Sequence, residues 1–182
     1  VENEKLAKVL GIVGSPRKKY TYKLVKTVLD TVAEKKNVET ELIQLSDYKI
    51  EHCSGCLDYC EKTKKCKIKD DMQKLYPELK EADALIIGTP TYYYNVSGSV
   101  KDFIDRSNPL YNAESLKGKI GAAIAVSEEE GHNQALTAIS SLFQLHKLRE
   151  VGSIAIVHRR KPLGQVELEM AKSLGEKIAS LL

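Results

Sequence analysis

Four cysteines fall within fourteen residues, as Cys53-x2-Cys56-x3-Cys60-x5-Cys66. A zinc ribbon wants two pairs separated by a longer span, so that chemistry fits poorly. Iron–sulfur clusters accept compact runs of four cysteines. Reduced thiols or a disulfide remain open on the same residues. Lys62, Lys64, Lys65, Lys67 and Lys69 accompany them; they favour thiolate and attract anionic partners. A second chemical segment is GSPRKKYTYKL, Gly14 to Leu24. Ser15 and Thr21 offer hydroxyls, and Arg17, Lys18 and Lys19 offer charge. A helix starting here adds free N–H groups and a positive dipole end, which together suit a phosphate monoester. The segment is neither a Walker loop nor a G-x-G-x-x-G fingerprint. A third segment, Gly88 to Gly98, carries Tyr92, Tyr93 and Tyr94 in a row, in a chain with nine Tyr, two Phe and no Trp. A fourth, Ser127-Glu128-Glu129-Glu130-Gly131-His132-Asn133, offers acids and one weak His candidate. The three Glu read as the first turn of a helix, where acids suit the dipole. His146 lies on an apolar stripe and reads as core.

These segments need elements to position them. Short apolar runs at Val9 to Val13, Ala84 to Gly88, Ile120 to Val126 and Ile154 to Val157, with an alternating segment at Thr40 to Leu45, predict five strands. Helical spacing recurs between them: Leu24 to Ala33, Met72 to Leu79, Val100 to Ile104, Ala135 to His146 and Val166 to Leu181. Pro77 is expected to break or restart its helix. Alternating strands and helices predict an α/β, doubly wound, parallel sheet with helices on both faces. Ligands in such sheets bind beyond the carboxyl ends of the strands. The phosphate-like, tyrosine and glutamate segments follow strands one, three and four, where that rule points. The cysteines lie in a long Cys- and Lys-rich insertion loop at about 46–70, longer than an ordinary connection.

The length of 182 residues predicts one domain spanning 1–182. With 28 Lys and Arg against 25 acids the net charge is +3, too mild and dispersed for a dedicated nucleic-acid binder. No apolar run is long enough to span a bilayer. Val1 to Lys5 are polar, so no signal peptide is visible, and a cytoplasmic location with reduced thiols is expected.

GSPRKKYTYKL resembles the phosphate loop of the NAD(P)H-dependent FMN reductase family, of form G-S-P-R-x-x-G/S-N-T-x-x-L. Here Tyr20 replaces a small residue and the Asn before Thr21 is missing. GTPTYYYNVSG followed by SVKDFIDR is similar to the family's G-T/S-P-x-Y-x-x-x-x-S/P-G-x-x-K-x-F-I/L-D-R. The resemblance implies a flavodoxin-like five-stranded parallel sheet of order 2-1-3-4-5. It implies FMN as cofactor, its phosphate held by Ser15, Arg17 and Thr21. Pro90, Thr91, Tyr92, Tyr93, Tyr94, Asn95, Gly98 and Ser127 are implied around the rest of the cofactor, with Tyr92 against the ring. NAD(P)H is the implied substrate, the electron acceptor is open, and a homodimer or homotetramer is expected. No catalytic acid–base pair is expected, because the cofactor carries the chemistry. Lys101, Asp105 and Arg106 read as a subunit contact or a local ion pair. The cysteine stretch resembles the iron–sulfur flavoprotein branch, whose C-x2-C-x2-C-xn-C motif binds a [4Fe-4S] cluster, with D-D-M following. Cys53, Cys56, Cys60 and Cys66 are the implied ligands. The middle spacer here, Leu57-Asp58-Tyr59, is one residue longer, a displacement of up to ~3.5 Å in extended chain. A flavodoxin-like electron carrier and a thiol-based redox sensor are the alternatives.

Overall fold

Lys8–Val13 (β1) is buried along its whole length, as a strand with helices on both sides must be. In the computed structural model, which describes residues 6–182, β1 is followed by α1 (Tyr20–Lys35), β2 (Glu39–Gln44) and a short 3₁₀ turn (Leu45–Asp47). Then come α2 (Leu57–Thr63), α3 (Met72–Glu81), β3 (Ala84–Pro90), α4 (Gly98–Arg106) and α5 (Asn108–Asn112). The chain closes with β4 (Ile120–Ser127), α6 (His132–Leu145), β5 (Arg149–Val157) and α7 (Gln165–Ala179). Val1 to Lys5, read above for a leader, lie outside the described residues.

All five strands are parallel, in the order β2-β1-β3-β4-β5. The flavodoxin-like sheet expected from the sequence is therefore present. Strand alternation divides the core. Leu10, Ile12, Leu85 and Ile87 face α3, α4 and α6, while Val9, Val13, Ala84 and Ile86 face α1 and α7. Among the described residues, no helix is long and apolar enough to cross a membrane.

Three expectations change. Pro77 sits inside α3 rather than ending it. It is exposed, so its ring sits on the solvent side of the helix and displaces no core packing. The 46–70 stretch is not wholly irregular, since α2 forms within it. Glu128, Glu129 and Glu130 precede α6 rather than forming its first turn, because Gly131 (φ 86°) starts that helix.

His146 is 5% exposed and belongs to the core, as its stripe suggested. Its Nε2 lies 2.9 Å from the Ser107 hydroxyl, which itself donates to the Ile104 carbonyl. Burial pushes its pKa down to about 4. Below the ordinary value near 6.5, the unfolded chain therefore binds a proton that the folded chain refuses. Stability contributed by neutral His146 is complete above that value and falls as pH drops toward about 4. Between pH 7 and pH 4.5, wild type should lose roughly 2–3 kcal/mol more than His146→Gln in denaturant unfolding. Parallel pH profiles for the two proteins would contradict this.

Candidate functional site

The carboxyl ends of β1 and β3 are fastened to each other before any ligand is considered. The Gly14 N–H donates to the Gly88 carbonyl at 2.8 Å. The Gly14 carbonyl accepts from the hydroxyls of Ser97 at 2.8 Å and Ser99 at 3.2 Å. Ser97 is also the N-cap of α4, and its N–H donates to the Thr89 hydroxyl at 3.0 Å. Only glycine fits at position 14, since a Cβ there would stand 2.1 Å from Val100 Cγ2 and 2.8 Å from Ser97 Oγ.

Past Gly14 the chain turns on Ser15. The Ser15 hydroxyl accepts from the Arg17 N–H at 3.2 Å and donates to the Arg17 carbonyl at 3.0 Å. Gln44 donates to the Ser15 carbonyl at 3.1 Å. Helix α1 then begins at Tyr20 with no side chain capping its first turn, so its free N–H groups and positive dipole end face the turn. A cavity of about 390 Å³ opens here, within the range that takes a small ligand. Ser15, Arg17, Thr21, Pro90, Thr91 and Tyr92 line it, six residues singled out from the sequence. Among the described residues, the guanidinium of Arg17 and the ammonium of Lys19 make no salt bridge, and Thr91 Oγ1 is buried without a hydrogen-bond partner. An anion beside an uncapped helix, two free cations and an idle hydroxyl meets the donor set it needs.

Five sequence candidates are not in the cavity wall. Ser127 is buried behind it, its hydroxyl 3.2 Å from His132 Nδ1. Gly98 opens α4. Asn95 closes a two-residue hairpin: the Tyr92 N–H donates to the Asn95 carbonyl and the Asn95 N–H to the Tyr92 carbonyl, each at 3.0 Å. Tyr93 and Tyr94 are the central residues of that turn, with φ of 46° and 62°. This is the type I′ pattern, usually filled by Asn-Gly, and a left-handed L-residue costs about 1–2 kcal/mol. Tyr94 is tied down, its hydroxyl donating to Glu130 at 2.8 Å. Gly131 lies directly beneath, where a Cβ would come 2.6 Å from Tyr94 Cα.

Sequence reasoning missed the opposite wall. His158 and Arg160, just past β5, line the cavity together with Lys19, Tyr20, Val126 and Glu128. The His158 and Tyr20 rings meet at 4.5 Å. Arg160 pairs with Glu128 and holds its carboxyl below the usual range. The basic run His158-Arg159-Arg160-Lys161, following a strand end, was the available signal.

The cysteines lie elsewhere. The stem of their loop is clamped to the end of α4 by Arg106, whose side chain is 1% exposed. Arg106 donates to both oxygens of Asp70, at 2.6 and 2.9 Å, and to the Glu51 carbonyl at 2.6 Å. Arg106 is thus a buried local ion pair, whereas Lys101 and Asp105 form an exposed one. Burial pushes the Asp70 carboxyl up, but Arg106 and the N–H groups of Glu51 and Met72 outweigh it and hold the pKa below its ordinary value. Cys53 is exposed, Cys56 and Cys66 are half-buried, Cys60 is buried, and none is in a disulfide. Cys56 is pulled toward thiolate by the Ser54 hydroxyl and by Lys67. Burial pushes Cys60 the other way, and Cys56 and Cys66 are close enough to add to it. Cys53 lines a separate cavity with Ile104 and His146. Among the described residues, no three His, Cys, Asp or Glu side chains stand in a metal-holding arrangement. The cysteine ligand set is therefore not preassembled, and none of the four lines the cavity at Ser15.

Comparison with known proteins agrees with this geometry. Residues 7–161 match the family described as NADPH-dependent FMN reductase. An iron-sulfur flavoprotein of Methanocaldococcus jannaschii is 35% identical over 189 residues, covering 96% of this chain and 97% of its own. A second from the same organism is 40% identical over 150 residues, covering 80% and 75%. Among solved structures, an NADH:FMN oxidoreductase superposes with a TM-score of 0.72 at 18% identity, over 97% of this chain and 90% of that one. The chain belongs to the NADPH-dependent FMN reductase family and is an FMN-binding oxidoreductase.

Proposed function

We propose that the chain takes hydride from NADH or NADPH onto FMN seated at the β1–α1 turn and hands the electrons to an acceptor. The observation that carries this reading is the cavity itself: an uncapped α1, Arg17 and Lys19, and a buried Thr91 hydroxyl that finds no partner among the described residues, in one wall system. Ser15, Arg17 and Thr21 would hold the phosphate, and Pro90, Thr91 and Tyr92 would bound the cofactor beyond it. FMN supplies the hydride-accepting chemistry when bound. The protein's part is binding, orientation and charge. Arg160 neutralises Glu128 and the Tyr94 hydroxyl engages Glu130, so two of the three loop acids are occupied rather than set against an incoming dinucleotide. Anaerobic stopped-flow mixing tests the reading: either nucleotide should bleach the flavin band, and no bleaching by NADH or NADPH would overturn it.

The finer part of the proposal is a [4Fe-4S] cluster on Cys53, Cys56, Cys60 and Cys66, as the names of the two M. jannaschii relatives suggest. The donor chemistry suits it, since four thiolates are what such a cluster takes. The Arg106 clamp fixes the stem while Cys53 sits on exposed backbone without regular structure. Such a cluster supplies one-electron transfer when bound. Protein purified without oxygen should show a broad absorption beside the flavin bands, with iron and acid-labile sulfide in equal amounts. FMN without iron, even after anaerobic reconstitution, would overturn this part and leave Cys56 and Cys60 as a thiol pair. The family resemblance also carries a homodimer or homotetramer, which light scattering checks; a monomer would contradict it.

A further inference from the structure

We propose that Tyr93 is a stacking platform for a flat, electron-poor aromatic electron acceptor, such as a quinone, brought to the mouth of the cavity. The inference rests on the flavin reading above. The starting observation is a conflict. Tyr93 and Tyr94 occupy consecutive left-handed positions, φ 46° and 62°, in a turn that Asn-Gly would make without steric cost. A bulky residue with positive φ is a true outlier, and such outliers collect where function over-determines the backbone.

Tyr94 has a structural use, through its hydroxyl bond to Glu130 and its seat on Gly131. Tyr93 has none. Its relative exposure is 102%, so its ring packs on none of the described residues. Yet it is the direct neighbour of Tyr92, which lines the cavity with Pro90 and Thr91. The turn is held on one side by the Tyr92–Asn95 pair and on the other by Gly131. An aromatic side chain is thus presented outward from a rigid support at the site's rim. The face of a phenol ring carries negative quadrupole, which favours stacking on electron-poor rings such as quinones, whereas the dihydronicotinamide of the donor is electron-rich.

The test uses FMN-loaded wild type, Tyr93→Asn and Tyr93→Trp, with the two half-reactions measured separately. NADH and NADPH probe the reductive arm. The oxidative arm starts from dithionite-reduced protein and compares 1,4-naphthoquinone with ferricyanide, which has no aromatic ring to stack. Tyr93→Asn should slow reaction with naphthoquinone about three- to tenfold, the worth of one aromatic pair. Tyr93→Trp should keep the wild-type rate. Ferricyanide should be unaffected, and the melting temperature of Tyr93→Asn should be unchanged or higher, since Asn accepts positive φ. A loss confined to naphthoquinone supports the proposal, and an equal loss in the reductive arm would point to a disturbed flavin site and overturn it. Unchanged rates in both arms, or equal slowing with ferricyanide, would overturn the proposal. Failure of wild type to bleach with either nucleotide would instead defeat the hydride reading, while the oxidative arm still decides Tyr93.

Discussion

Arg106→Leu should destabilise the protein by about 3–5 kcal/mol, the largest stability effect of any single substitution considered for this chain. The guanidinium is 1% exposed and its partner Asp70 is 3% exposed. Removing the cation leaves a buried carboxylate whose remaining partners are the N–H groups of Glu51 and Met72. It also strips the Glu51 carbonyl of its donor. An uncompensated buried charge costs more than the pair ever contributed. Removing both charges, as Arg106→Leu with Asp70→Leu, should therefore recover much of the loss. Urea unfolding of the two variants measures this directly. A double variant no more stable than the single would contradict the charge argument. The pH dependence has a fixed sign. Asp70 is held below its ordinary value in the fold, so its contribution is complete above the unfolded value near 3.9 and lost as pH falls through the lower folded one. Because Glu51 and Asp70 flank the cysteines, Arg106→Leu should also loosen that segment, read as faster alkylation of buried Cys60.

Gly14→Ala should abolish useful FMN retention while leaving the sheet intact. The new Cβ would stand 2.1 Å from Val100 Cγ2, on a residue that is fully buried, so neither side has room to yield. Overpacking of this kind costs about 1–3 kcal/mol and is relieved by backbone movement. The movable part is the Ser15–Lys19 turn, which must keep its path for the hydroxyl of Ser15 and the start of α1 to converge. We expect at least a hundredfold weaker FMN binding by fluorescence titration, equivalent to losing about 2.7 kcal/mol of charge-assisted hydrogen bonding. Val100→Ala in the same chain opens the space again and should restore binding in part. FMN affinity unchanged in Gly14→Ala would show that the turn does not hold the cofactor.

Most of the framework was legible because the central strands β1, β3 and β4 are short apolar runs buried along their whole length. Val9 to Val13 and Ala84 to Gly88 needed no tertiary information to be found, and the loops after them followed from topology. What escaped the sequence has physical causes. Only Cys60 of α2 is buried, so that helix shows no apolar stripe to read. The left-handed Tyr93 and Tyr94 oppose local preference, and no propensity points to them. Arg106 meets Asp70 and the Glu51 carbonyl from 36 and 55 residues away, so its burial appears only once α4 and the cysteine loop are docked. His158 and Arg160 follow a strand whose loop is remote in sequence from the phosphate turn, and sheet order, backbone bonds to Ser127 and Glu128 and the packing of Tyr20 on His158 bring them together. The Glu triplet read as the first turn of a helix, and its engagement by Arg160 and Tyr94 rests on contacts 32 and 36 residues away in sequence.

The central claim is that the β1–α1 turn holds the phosphate of FMN. It is tested most directly by titrating flavin-free protein with FMN and with riboflavin, which has the same ring and ribityl chain but no phosphate. Contacts from Ser15, Arg17, Thr21 and the start of α1 should make FMN bind at least about a hundredfold more tightly, with one FMN per chain. Equal affinity for the two flavins would contradict the account.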